Sequence, residues 1–230
     1  MSLRELCSQS RCRILFVVAA PKEAAAIAIV FGQPAPGPWE RTELAPWADL
    51  LATGVGKSNA AGATARLLDP SRHGYVLNAG IAGVLPGSKL PVGAVVSGER
   101  SVFGDEGVLD PSGFTPMSAR GFPPGRPEEA DGVSASEQLL TRAAAIRVRA
   151  IATVSTCSGT DALAAAIVAR TGAEAEAMEG AAVGLVASRL SVGFAEVRVI
   201  SNATGDNAGQ TWDLAGALGA LTGWAARVSL

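Results

Sequence analysis

The unbroken apolar run from Ile14 to Ala20 constrains this chain more than any other feature in it. A strand with one face in water alternates apolar and polar side chains, whereas a continuous apolar run marks a strand covered on both faces. Helices must then lie on either side of the sheet, which points to an α/β domain. Pro21 follows at once, and proline is at home in a first helical turn. The reading is a strand over Arg13 to Ala20 and a helix from Pro21 to about Phe31.

The alternation continues down the chain. Strands are expected near Glu40 to Leu44 and Asp49 to Thr53, then an Ala-rich helix over Lys57 to Leu68, and strands over Tyr75 to Ala79 and Val92 to Arg100. Residues 101–132 are rich in Gly, Pro, Asp and Glu and lack apolar periodicity. So long an irregular segment is usually functional or mobile, and with Phe103, Asp105 and Phe114 it is a candidate for closing over a ligand. Helices over Ser136 to Ile146, Asp161 to Arg170, Glu179 to Leu190 and Thr211 to Val228 follow, with strands over Arg149 to Ser155 and Phe194 to Ser201. The expected organisation is a short, frayed N-terminal tail over 1–12 and one domain over 13–230.

Composition narrows the function. A net charge of −2, without a Lys/Arg block, offers no field for nucleic acid or a lipid surface. No apolar run approaches the ~18 residues of a membrane-spanning helix. Arg4, Arg11 and Arg13 ahead of the first strand imitate a signal peptide, but Pro21-Lys22-Glu23 follows without a small-residue cleavage site. Three cysteines, at no metal-ligand spacing, favour a reducing, cytoplasmic setting over a disulfide framework. The single histidine, His73, excludes a His-rich metal centre and reads as exposed and idle in its Pro70-Ser71-Arg72 turn. No metal or cofactor is called for.

The motifs lie at strand ends. Gly54-Val55-Gly56-Lys57-Ser58 lacks the earlier glycine of a P-loop, Leu51 standing there, and Asn59 replaces the third glycine of a dinucleotide fingerprint. What remains is a tight turn at a sheet edge where α/β ligands sit. Asn78-Ala79-Gly80-Ile81-Ala82-Gly83 is a strand entering small residues that let backbone approach a ligand. In Met178-Glu179-Gly180, a carboxylate between Met and small residues can accept two hydrogen bonds from a vicinal diol, or else serve as a helix N-terminal acid. Ile200 to Asp206 ends an apolar strand in polar residues, and Trp212 beyond it reads as a core anchor rather than a ligand platform.

Taken in order, Ala19-x-x-x-Glu23, Gly54-x-Gly56-Lys57, Asn78-x-Gly80-x-Ala82-Gly83, Met178-Glu179-Gly180 and Arg198-x-Ile200-Ser201-Asn202 resemble the nucleosidase branch of the nucleoside phosphorylase superfamily, over about residues 13–228. Within it the chain most resembles the futalosine hydrolases, on Ala-Pro-Lys-Glu after the first strand, Gly180 in the acidic motif, and Ser201-Asn202 where methylthioadenosine/adenosylhomocysteine nucleosidases have Ser-Asp. The resemblance implies a single domain with a central mixed sheet flanked by helices, a purine nucleoside as substrate, water as nucleophile, and a homo-oligomer.

It further implies Glu23 as the base for water, with Glu179, Met178, Gly80 and Ile81 around the ribose and Ser158, Gly159 and Thr160 beside the purine. Asn202 stands at the leaving-group acid's position; an amide cannot give up a proton but can hydrogen-bond N7. Hypoxanthine, the more acidic purine, is then the expected leaving base, with Asp206 as fallback acid. Phosphorolysis is disfavoured because Asn78 replaces a phosphate-binding arginine. A methylthioadenosine/adenosylhomocysteine nucleosidase and an inactive nucleoside-binding protein remain as alternatives, and Arg100, Arg120 and Arg126 are all open candidates for a substrate carboxylate.

Overall fold

In the computed structural model, which describes residues 2–230, the apolar run becomes a strand buried at every position from Ile14 to Val18. In chain order the elements are α1 (Leu3–Ser10), β1 (Arg13–Val18), α2 (Pro21–Ala28), β2 (Glu40–Ala45), β3 (Ala48–Ala52), α3 (Lys57–Leu67) and β4 (His73–Val84). Next come β5 (Val95–Gly98), β6 (Arg100–Phe103), the hairpin β7 (Gly107–Asp110) and β8 (Gly113–Pro116), β9 (Gly132–Ser134), α4 (Glu137–Leu140), β10 (Ile146–Val148) and β11 (Ile151–Thr153). The chain ends with α5 (Asp161–Thr171), β12 (Ala175–Ala177), α6 (Gly180–Arg189), β13 (Gly193–Ala203) and α7 (Leu214–Ser229).

β1 runs parallel to both β3 and β4, and β13 is parallel to β4 along its other edge. The antiparallel pairs β2–β3, β5–β13, β12–β4 and β6–β9 make the sheet mixed. Alternate residues of β1 explain why its run needs no polar position. Ile14, Phe16 and Val18 pack with α1, α2 and α7 on one face, around the fully buried Trp224. Leu15 and Val17 pack with α3 and α6 on the other.

The structure departs from expectation in four places. The N-terminal segment is no frayed tail: Ser2 caps α1 in a capping box with Glu5, and Leu3, Leu6 and Cys7 are buried on the core. Residues 101–132 are ordered into β6, the β7–β8 hairpin and β9 rather than left as an irregular loop. The helix expected over Ser136 to Ile146 stops at Leu140, and Ile146–Val148 pairs with β5 instead. His73 is fully buried at the start of β4.

His73 belongs to a polar joint across three strands. Its Nδ1 accepts from the Asp69 N–H at 3.1 Å, which leaves Nε2–H to donate to Asp49 Oδ2 at 2.9 Å. Arg13 grips the same carboxylate, Nε to Oδ2 at 3.0 Å and a terminal nitrogen to Oδ1 at 2.8 Å. Burial alone would raise the Asp49 pKa, but the bonds from His73 and Arg13 outweigh it and hold the carboxyl below its ordinary value. Replacing Asp49 by Ala strands the buried His73 N–H, while Arg13 keeps its bonds to the Ala45, Pro46 and Ala48 carbonyls and its ion pair with Glu43. We expect a loss of about 1–3 kcal/mol, read as a lower urea midpoint at unchanged slope.

Candidate active site

A gap in the sheet makes the site. β1 accompanies β4 only as far as Val17 opposite Asn78, and β12 joins that edge at Gly83 and Val84. Between them β4 has no strand on that side, and a backbone N–H buried without a partner is costly. Glu23, in the first turn of α2, fills the place: its Oε1 accepts from Ile81 N at 2.9 Å. Its Oε2 accepts from Ala19 N at 3.1 Å and Ala20 N at 2.8 Å. Burial pushes the Glu23 carboxyl above the usual carboxylate range, aided by nearby Glu179; Arg198 and the backbone donors oppose the shift without cancelling it.

Arg198 is the buried cation of the site. Its Nε donates to Glu196 Oε1 at 2.7 Å, and a terminal nitrogen donates to Asn78 Oδ1 and lies 3.4 Å from Glu179 Oε2. Burial would lower the Arg198 pKa, but Glu196, Glu179 and Glu23 together raise it. Glu179 stands at the N-cap position of α6 with its carboxylate turned away from the helix N–H groups, and its Oε1 accepts from Gly56 N at 3.0 Å. Gly56 has φ +92°, a conformation open to glycine, so the turn that aims this N–H requires it.

The far wall is amide-lined. β13 carries a bulge where Ile200 faces Ala82 and Asn202 already faces Gly83; such an extra residue re-aims side chains. Asn202 Oδ1 accepts from Ser201 Oγ at 2.9 Å, and its Nδ2 donates to Ala203 O at 3.1 Å and Gln210 Oε1 at 3.2 Å. Trp212 Nε1 donates to the same Gln210 oxygen at 3.1 Å. Opposite, Ser158 donates through N and Oγ to the Glu176 carboxylate at 2.7 and 2.6 Å.

Glu23, Glu179, Glu176, Ser158, Asn202, Gln210 and Trp212 line a cavity of about 480 Å³, with Arg198 and Glu196 behind its wall, within the range of small-molecule sites. Of the residues expected from sequence, Glu23, Ile81, Ser158, Gly159, Met178, Glu179 and Asn202 are on its wall. Gly80 lies behind the wall, and Thr160 caps α5, its Oγ1 accepting from Leu163 N at 3.2 Å. Asp206 is turned away: its carboxylate accepts from Asp161 N at 3.2 Å, so the fallback acid is not at the cavity. Trp212 is half exposed on the wall, not a core anchor.

Residues 101–132 contribute nothing to the wall among the described residues. Asp105 binds Lys57 and the Ser155 N–H, Phe103 is buried under Lys57, and Arg170 stacks on Phe114. Arg100 and Arg126 donate to backbone carbonyls of Glu129 and Ser188, and with Arg120 they are absent from the wall. Glu176, Glu196, Arg198, Thr204 and Gln210 received no role from sequence. Among the described residues, no three His, Cys, Asp or Glu side chains converge to hold a metal ion.

Known proteins share this fold. A family model described as the phosphorylase superfamily matches residues 50–228. The chain belongs to that superfamily. Within it the chain is 35% identical to a futalosine hydrolase of Acidothermus cellulolyticus over 213 residues, covering 89% of this chain and 84% of that one. It is 36% identical to a futalosine hydrolase of Streptomyces coelicolor over 184 residues, 76% and 75% of the two chains. A solved 5′-methylthioadenosine/S-adenosylhomocysteine nucleosidase from Neisseria meningitidis, in complex with methylthio-immucillin-A, superposes with a TM-score of 0.74 at 23% identity over 94% of this chain and 96% of that one.

The geometry behind the wall is testable at Gly80. A Cβ there would stand 2.5 Å from Glu23 Oε1 and 2.6 Å from an Arg198 terminal nitrogen. Overpacking of this kind costs about 1–3 kcal/mol. Gly80→Ala is expected to displace both groups and lower kcat/KM at least about tenfold, each tenfold being about 1.4 kcal/mol. Steady-state kinetics beside a thermal melt checks it.

Proposed function

We propose that the chain is a nucleosidase that hydrolyses the N-glycosidic bond of a purine nucleoside, with futalosine as substrate and hypoxanthine as the base released, a step in menaquinone biosynthesis. The observation that carries the reading is the charge of the cavity. Glu23, Glu176 and Glu179 lie on its wall and no Lys or Arg does, among the described residues. Such a wall repels phosphate and favours a cationic ribosyl centre and a water attacking it. The similarity to futalosine hydrolases supports the choice of substrate.

In this mechanism Glu23, whose pKa is raised by burial, takes a proton from water as the oxygen bonds to C1′. The C1′–N9 bond breaks with its electron pair moving onto the purine. Glu179 accepts hydrogen bonds from the ribose hydroxyls, and Met178 packs on the sugar. Asn202, its oxygen held by Ser201, gives up its bond to Gln210 Oε1 and turns that N–H toward N7. Hypoxanthine leaves with anionic character and takes its proton from solvent. The proposed enzyme works in the cytoplasm, where Cys7, Cys12 and Cys157 stay free, and as a homo-oligomer, as the resemblance implies.

Incubated with futalosine, inosine, methylthioadenosine and adenosylhomocysteine in phosphate-free buffer, the protein should release hypoxanthine from futalosine and little base from the others. Adenine from the thio-nucleosides would transfer it to the sister activity, and release only on adding phosphate would overturn hydrolysis.

The raised Glu23 pKa sets the sign of the pH dependence. The base must be ionised, so kcat/KM should rise with pH through a limb lying above the ordinary glutamate value of about 4.3. Glu23→Gln should remove the limb and about 10²–10⁴ of the rate.

A further inference from the structure

Glu196 is fully buried on β13, away from the cavity wall, and has no part in the mechanism above. An ionised carboxylate in that position is expensive unless it is paired and hydrogen-bonded. Three features show that the site is built around it. Its Oε1 accepts from Arg198 Nε at 2.7 Å, and its Oε2 accepts from Ser101 Oγ on β6. Gly180, in the Met178-Glu179-Gly180 motif, has no side chain where a Cβ would overlap the Glu196 carboxylate. Glu196 and Arg198 are two residues apart on one strand, so their side chains share a face.

We propose that Glu196 is a positioning residue for the hydrolysis, a buried counter-ion that clamps the Nε edge of Arg198 and offsets its charge beside Glu23. The inference rests on the reading of Glu23 as the base. A guanidinium is a planar fork, and holding its Nε edge fixes where its terminal nitrogens point. Those nitrogens face Asn78 and Glu179 and flank Glu23 Oε1 across Gly80. Gly180 is small for the same reason, because the space of its side chain is taken by the clamp.

The offset matters as much as the aim. The ionisable groups facing one another here are Glu23 from α2, Glu179 at the start of α6, and Glu196 and Arg198 from β13; the neighbours Ser101 on β6 and Asn78 on β4 are neutral. Burial pushes the Glu196 carboxyl up, while Arg198 and the bond from Ser101 oppose it; in its ionised form it takes up much of the Arg198 charge and does no chemistry. Removing that charge leaves Arg198 to act on Glu23 and Glu179 alone. Glu23 would then hold its proton less tightly and be a weaker base toward water.

The test uses the full-length protein, the nucleoside that the wild type cleaves in phosphate-free buffer, and kcat and KM measured across pH beside thermal melts. Glu196→Gln keeps the shape and drops the charge. Its acid limb should move down by about one pH unit, with kcat at neutral pH down by about three- to tenfold and KM little changed. Ser101→Ala removes a bond that holds the Glu196 pKa down, so more of that carboxyl is protonated at the limb, which should move the same way by less. A folded Glu196→Gln protein with the wild-type limb and kcat overturns the proposal. If that variant does not fold, an unmoved limb in Ser101→Ala overturns it instead. A wild type without phosphate-free hydrolysis, or a Glu23→Gln protein that keeps its turnover, overturns the reading of the site and this proposal with it. An inactive Glu23→Gln beside an unaffected Glu196→Gln removes the proposal alone.

Discussion

Where β1 ends beside β4, a backbone edge is left open in the middle of the sheet, and the Glu23 carboxylate closes it. An unpaired amide at that depth would cost a good fraction of the stability of an ordinary domain. The carboxylate is therefore held by the same need that builds the sheet, accepting from Ile81 on β4 and from the turn between β1 and α2. Its position does not depend on a flexible loop. The hydrogen bonds that place it would by themselves make it more acidic, and burial reverses that. One interaction thus completes a strand edge and leaves a carboxylate with raised proton affinity at the cavity.

Charge in the site follows from that choice. Burying Glu23 beside Glu179 calls for a cation, and Arg198 supplies it from the adjacent strand, opposite Gly80. Arg198 carries three carboxylates around it and is itself enclosed. Its charge is used inside the wall and is not offered to a diffusing anion.

Sheet-forming runs were legible because burial on two faces leaves a direct mark on the sequence, and Ile14 to Ala20 carries it plainly. Glu23, Glu179 and Asn202 were legible because each stands at or just beyond the end of a strand, in an ordered set of motifs that resembles the nucleosidase branch. Elsewhere local pattern misled. His73 sits in a turn-like context, yet Asp49 lies opposite from a strand 24 residues earlier. Trp212 resembled a core residue because its Gln210 partner and open cavity are invisible locally. Asp206 was close in sequence to Asn202, but the bulge and the turn after β13 aim it at α5. Residues 101–132 lacked periodicity because their strands are only three or four residues long.

The glycines show what kind of information a motif holds. Gly56, Gly80 and Gly180 all stand in motifs that can be read from the chain, Gly56 as part of a tight turn and the other two as small residues. In the structure each has a different cause. Gly56 needs a positive φ to point its N–H at Glu179, Gly80 yields room to Glu23 and Arg198, and Gly180 yields room to Glu196. The last two are vacancies shaped by charged side chains far away in sequence. A chain that kept these glycines but replaced the acids they accommodate would preserve the motif and lose its purpose. Resemblance at such positions is therefore evidence about chemistry only when the partner residue is present too, as Glu23, Arg198 and Glu196 are here.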